Sequence, residues 1–125
     1  MIKVLLVDDH RLVRAGYRSI LASEPDIVVS GEAGNGAEAQ VCLRGQPVDV
    51  VVLDVSMPGE SGIQVLPKLK QIAPNTHVLM VSMHMEPRIS FRAIEAGASG
   101  YLTKESAPEE LVAAIRRVCA GTPLS

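Results

Sequence analysis

Five polar side chains in this sequence stand just beyond runs of aliphatic residues, and their types are those of a phosphoryl-handling, cation-binding site. Asp8 and Asp9 close "VLLV", Asp54 closes "VVVL", Ser82 closes "VLMV", and Lys104 follows "GYLT". Two adjacent carboxylates at the edge of a core repel each other and resist ionising together unless a cation or hydrogen-bond donors stand near them. Three carboxylates, a hydroxyl and an ammonium match a hard cation beside an anion, since magnesium takes a few carboxylate and carbonyl oxygens, retained waters and a phosphate oxygen. A carboxylate such as Asp54, carried into the turn-rich loop "SMPGESG", can attack phosphorus to give an acyl phosphate. Its own charge repels a phosphoryl donor, and a divalent ion with Lys104 would neutralise that charge in an in-line transfer.

Those residues share a site only if the elements carrying them are strands of one sheet. Short aliphatic runs at Ile2–Val7, Ile27–Val29, Val50–Leu53, Val78–Val81 and Tyr101–Leu102 are too short and too uniformly apolar for amphipathic helices and are expected to be buried strands. Segments with helical spacing alternate with them, such as Leu12, Val13, Gly16, Tyr17, Ile20 and Leu21, or Leu111, Val112, Ile115, Val118 and Cys119. Asn35 with Glu38 and Ser106 with Glu109 have capping-box spacing, Pro87 suits a first helical position, and Gly97 and Gly121 suit the residue after a helix. Five strand–helix repeats call for a parallel sheet with right-handed crossovers and helices on both faces. In such sheets ligands sit beyond the carboxyl ends of the strands, where all five polar residues fall.

A chain of 125 residues, 47% of them apolar, is sized for one domain with a real core. A formal charge of −2 and no basic run leave nothing to attract nucleic acid or an anionic membrane. Asp8 and Asp9 cut the N-terminal apolar stretch well short of a signal peptide, so a cytoplasmic protein with no membrane contact is expected. Cys42 and Cys119 form no ligand or disulfide pattern and read as half-buried thiols. "GEAGNG" has the order G-x-x-G-x-G after the second strand, which is not the dinucleotide-binding order.

The motifs "VLLVDDH", "VVVLDVSMPG", "VLMVSMH" and "EAGASGYLTKE", in this order and spacing, resemble the receiver domain of two-component response regulators over nearly the whole chain. The resemblance implies a flavodoxin-like, doubly wound (βα)5 sandwich with strand order 2-1-3-4-5. It implies that Asp54 accepts a phosphoryl group from a sensor histidine kinase, and that Mg2+ is held by Asp9, Asp54 and the backbone carbonyl of Ser56, with Asp8 acting mainly through water. Ser82 and Lys104 would receive the phosphoryl oxygens, and Tyr101 stands where the family places a switch aromatic that turns inward as Ser82 moves. "VDDHRLVRAGYRSIL", "GEAGNGAEA" and "GYLTKESAPEELVAAIRRVCAG" resemble the LuxR-type branch. That branch implies a receiver over residues 1–121, the start of a linker at 122–125, and a helix-turn-helix effector in a longer transcription regulator. Homodimerisation on phosphorylation would then control the effector, and any DNA contact would be made only by that absent domain. The domain is thus expected to be a regulatory switch that catalyses only its own phosphoryl transfer and loss.

Individual residues have plainer readings beside these. An aspartate at a strand end can cap the following helix, Ser82 can be a turn residue, and Tyr101 can be core packing. His84, two residues beyond Ser82, either tunes the lifetime of phospho-Asp54 or is an exposed loop side chain. Arg11, Arg14 and Arg18 form either a partner-reading surface or a solvated face of the first helix. Many receivers carry a cis proline after the lysine, whereas Lys104 is followed here by Glu105, which leaves that loop's geometry open. Pro67 falls in the third helix and is expected to kink or delay it. A magnesium-dependent hydrolase with an aspartyl nucleophile would need a second aspartate two residues beyond Asp54, where Ser56 stands; a receiver-like scaffold without phosphorylation leaves the acidic edge unexplained.

Overall fold

The computed structural model describes residues 1–84 and 86–120. Strands β1 (Ile2–Val7), β2 (Ile27–Ala33), β3 (Val50–Asp54), β4 (His77–Ser82) and β5 (Gly100–Thr103) alternate with helices α1 (Arg11–Ala22), α2 (Gly36–Gly45), α3 (Gly62–Ile72), α4 (Pro87–Glu95) and α5 (Pro108–Cys119). The sheet is parallel throughout, in the order β2-β1-β3-β4-β5. This is the flavodoxin-like (βα)5 architecture that the family resemblance implies, and β2 and β5 run longer than their apolar cores.

The period of two along each strand divides the core into two layers. Leu5, Val7, Val51, Leu53, Val78 and Met80 pack with Leu43, Val65, Leu66, Leu69 and Ala93 of α2, α3 and α4. Val4, Leu6, Val50, Val52, Leu79 and Val81 face the other way, against Leu21 of α1 and Leu111, Ile115 and Val118 of α5. Both faces of the central strands are therefore dry, which is why these segments read as continuous apolar runs. Cys42 and Cys119 are free, half-buried thiols. Among the described residues no helix is long and apolar enough to cross a membrane.

Helix ends follow local chemistry with one correction. Asn35 Oδ1 accepts from Glu38 N–H at 2.9 Å and caps α2, Pro87 opens α4, and Gly97 sits past its end at φ 110°, a conformation that favours glycine. Ser106 does not cap α5: the N-cap is Ala107, extended at φ −62° and ψ 151°. A residue before proline is pushed out of the helical region, so Pro108 forces the helix to begin at itself, and Ser106 Oγ instead faces Thr103 Oγ1 at 3.4 Å. The full capping box belongs to Ser61 and Gln64 at the start of α3. With that start secured and Val65, Leu66 and Leu69 buried, α3 runs through Pro67 without delay. On α1, Leu12 is 87% exposed and Gly16 is also outside the core, because both lie with Ala15 and Ser19 on the helix face turned away from the sheet, while Tyr17, Ile20 and Leu21 face inward. Gly121 and residues 122–125 lie outside the described residues.

Candidate functional site

Parallel strands with level ends bring the polar residues to one edge. Val7 pairs with Leu53, Asp54 with Val81, and Ser82 with Thr103, so the residues at or just past these positions emerge side by side. Asp8 and Asp54 are almost wholly buried, at 3% and 2% exposure, and Ser82 is buried beside them. Lys104 reaches into this edge, its Nζ standing 3.0 Å from Asp8 Oδ2 and 3.3 Å from Asp54 Oδ2. Its backbone N–H donates to the Ser82 carbonyl at 2.7 Å, which ties the loop after β5 to the end of β4. All described peptide bonds are trans, including that between Lys104 and Glu105.

Burial and the neighbouring charge of Asp8 push the Asp54 carboxyl above its ordinary range, against the pull of Lys104 and the Ser56 N–H. Burial works against the Lys104 ammonium, yet the hydrogen bond to Asp8 and the charges of Asp54 and Asp8 outweigh it and hold Lys104 above its ordinary value. Burial, with Asp8 and Asp54 acting against Lys104, also raises Tyr17, which lies on α1 above the same edge. The cluster has more negative than positive charge.

The residues present fit a divalent cation. Among the described residues, Asp8, Asp9, His10 and Asp54 offer ligand atoms all within 4.8 Å of one another. Asp9 Oδ1 and Asp54 Oδ2 are buried and accept no hydrogen bond, although Lys104 approaches the latter as an ion pair. Carboxylate oxygens left this way are costly until a cation completes them, and an oxygen-rich set suits a hard ion. Ser56 is exposed at the mouth, with its N–H donating to Asp54 Oδ1 at 3.1 Å. A cleft of about 530 Å³ leads from Asp9 and Ser56 past Ser61 to Ile89 and Arg92 of α4.

Gly62 explains how the loop after β3 is drawn against the site. Its N–H donates to the Val55 carbonyl at 2.8 Å, and a Cβ there would stand 2.2 Å from the Asp54 backbone oxygen. Only glycine allows α3 to begin so close to the strand that carries Asp54.

Ser82, His84 and Tyr101 form a linked set. Tyr101 is buried on the α4 side of the sheet and donates its hydroxyl to the His84 carbonyl at 3.2 Å. His84 N–H in turn donates to Ser82 Oγ at 3.4 Å. His84 is exposed, and its backbone makes the connection.

Three contributors were not legible as such in the sequence. Arg14 is mostly buried: it donates to the Asp8 carbonyl and pairs with Glu32 at 3.1 Å, so it braces the β1 end instead of belonging to a solvated face. Arg18 joins the same glutamate at 3.1 Å. His10 places Nδ1 3.2 Å from Asp8 Oδ1 and 3.3 Å from Asp9 Oδ1. The arginines' spacing of four hinted at a shared partner, but that partner lies on β2, out of reach of any local pattern.

A five-stranded 2-1-3-4-5 sheet with an acidic trio and a lysine at its carboxyl edge defines a CheY-like receiver fold. The family model for the response regulator receiver domain matches residues 4–116, and the chain belongs to that family. Response regulator UvrY of Escherichia coli K12 is 46% identical over 121 residues, covering 97% of this chain and 56% of the relative. Among solved structures, a LuxR-family two-component response regulator from Aurantimonas sp. SI85-9A1 superposes with a TM-score of 0.92 at 40% identity, covering 97% of this chain and 86% of that one. The signal receiver domain of the response regulator NarL from Mycobacterium tuberculosis gives 0.90 at 37% identity, with 96% and 97% covered. The chain is a regulatory receiver domain of the LuxR/NarL type, and it spans a little over half the length of UvrY.

Proposed function

We propose that Asp54 accepts a phosphoryl group from a sensor histidine kinase in a Mg2+-dependent reaction, and that the modified domain changes shape to control homodimerisation and a DNA-binding effector. The observation that carries this reading is the buried Asp54 carboxylate, whose Oδ2 accepts no hydrogen bond, is ion-paired with Lys104 and stands beside two further aspartates. In the transfer, an Asp54 carboxylate oxygen forms the new bond to phosphorus while the bond from phosphorus to the kinase histidine nitrogen breaks, its electron pair staying on that nitrogen. Asp9, Asp54 and the Ser56 carbonyl would hold Mg2+, with Asp8 reaching it mainly through water. When bound, the ion supplies positive charge that offsets repulsion between carboxylates and phosphoryl oxygens. Lys104 supplies a second cation already aimed at Asp54, and Ser82 Oγ can donate to a phosphoryl oxygen.

Ser82 moving toward that oxygen lengthens its contact with His84 N–H, whose carbonyl holds Tyr101. The strand-end chemistry is thereby connected to α4, β5 and α5, the face that would change. His84, exposed beside Ser82, is placed to influence hydrolysis of the acyl phosphate. The receiver occupies residues 1–121 with a linker from 122, the effector is a LuxR-type helix-turn-helix domain, and the protein acts in the cytoplasm.

Intact mass after incubation with acetyl phosphate tests the chemistry. The expected result is a single base-labile phosphoryl adduct that requires Mg2+ and is absent from Asp54→Asn; labelling of that variant would refute the assignment. Sedimentation with and without beryllofluoride tests the switch, and unchanged assembly would refute it.

A further inference from the structure

We propose that Arg14 is a positioning residue for the cation site: by holding the Asp8 carbonyl it fixes the peptide that joins Asp8 to Asp9, and so sets where the Asp9 carboxylate stands, with Glu32 as its counter-ion. The inference rests on reading Asp9 and Asp54 as metal ligands, and it concerns a residue outside the ligand set. Arg14 closes the first turn of α1, and its side chain is only 15% exposed. Nη1 of its guanidinium donates to the Asp8 carbonyl, while Nε donates to Glu32 Oε1 on β2 at 3.1 Å. The guanidinium is a planar fork whose donors are fixed in direction, so one side chain holds both acceptors.

The two neighbouring aspartates are held by different means. Asp8 is fixed through its side chain: Oδ2 faces Lys104 Nζ at 3.0 Å, and Oδ1 accepts from the His10 N–H at 2.8 Å and contacts His10 Nδ1 at 3.2 Å. Asp9 has no such restraint, since its buried Oδ1 accepts no hydrogen bond and His10 Nδ1, 3.3 Å away, is engaged with Asp8. What orients Asp9 is the backbone. The Asp8 N–H donates to the Ala33 carbonyl at 3.0 Å, which anchors one side of Asp8, and Arg14 anchors the other at the carbonyl. Because the peptide unit is planar, pinning its oxygen fixes the direction in which the chain enters Asp9. An arginine this near a cation site would repel the ion if its charge stood alone. Glu32 offsets that charge. Arg18, 57% exposed, shares the same glutamate at 3.1 Å but makes no hydrogen bond to Asp8 among the described residues. Outer partners that orient metal ligands are worth about 10–100-fold in metal affinity.

The test measures the Mn2+ affinity of the 125-residue chain from the free-ion electron spin resonance signal, with Mg2+ as competitor and Tm recorded for every variant. Arg14→Met is expected to weaken Mn2+ binding about tenfold or more, and Arg14→Lys, which keeps the charge but not the fork, to fall between it and the wild type. Arg18→Met takes a charge from the same glutamate without touching Asp8, and is expected to stay within about twofold of the wild type. Glu32→Ala frees the guanidinium and is expected to weaken binding in the same direction as Arg14→Met, and it decides the matter if Arg14→Met does not fold. A folded Arg14→Met, or in its place Glu32→Ala, within about twofold of the wild type overturns the positioning role and leaves the carboxylate site standing. An equal loss in Arg18→Met also overturns it, because charge alone would then account for the effect. A wild type that binds Mn2+ no more tightly than Asp9→Asn overturns the metal site itself and the inference with it.

Discussion

Replacing Gly62 with alanine isolates the contact that brings α3 against the Asp54 strand end. The added Cβ would stand 2.2 Å from the Asp54 carbonyl oxygen and 3.0 Å from its carbonyl carbon. The first distance is about 1 Å inside ordinary carbon–oxygen contact. Met80 Cε, also 3.0 Å away, can rotate aside, but β3 is paired with β1 and β4 and cannot retreat. The start of α3 must therefore move outward and strain the Gly62 N–H bond to Val55. Overpacking of this kind costs about 2–3 kcal/mol. For a 125-residue chain, 1 kcal/mol shifts Tm by about 4 °C, so a fall of about 8–12 °C is expected. Gly16→Ala is the matched control, since a Cβ there meets nothing within 4 Å; helix propensity predicts a gain of about 0.5–1 kcal/mol, or roughly 2–4 °C. Differential scanning calorimetry of both variants and their labelling rates by acetyl phosphate form the assay. Gly62→Ala within about 1 °C of the wild type would refute the steric reasoning. A destabilised variant that labels at the wild-type rate would refute the claim that this contact shapes the acceptor site.

Lys104→Ala leaves Asp8 and Asp54 facing each other without their cation and is expected to cost about 2 kcal/mol in urea unfolding with EDTA present, part of it regained on adding Mg2+. Tyr101→Phe removes the hydroxyl bond to the His84 carbonyl, for a loss of about 1 kcal/mol in unfolding and a weaker assembly response to beryllofluoride. Arg116 pairs with Asp26 at 2.8 Å and holds its carboxyl below the ordinary value, chiefly by hydrogen bonding. That contribution is present above the unfolded carboxylate pKa and is lost as pH falls through the lower folded one. The Tm gap between wild type and Arg116→Gln should thus be steady from about pH 5 to 8 and close below about pH 4.

Strand positions and the polar residues ending them were legible because both are local properties. A buried parallel strand has to be apolar on both faces, as Val50 to Leu53 are, and the first charged residue marks where the core stops. The start of α2 was equally local, since Asn35 and Glu38 are three residues apart. Ser106 misled because its spacing to Glu109 is right while Pro108 decides the backbone, and Leu12 misled because it is apolar yet lies on the outward face of α1 with Gly16 and Ser19.

The sequence by itself determined the alternation of strands and helices, and with it the convergence of Asp8, Asp9, Asp54, Ser82 and Lys104 at one edge, since parallel strands must all end on the same side. Only the tertiary structure decided which of these groups touch. Lys104 lies between Asp8 and Asp54, Arg14 links the end of β1 to Glu32 on β2, and the Tyr101 hydroxyl reaches the His84 carbonyl 17 residues away. Such contacts depend on distances of a few ångströms set by sheet register and helix docking, and electrostatic and hydrogen-bond energies change steeply over that range. Residue type and spacing along the chain determine who can meet; the packed sheet and helices determine who does.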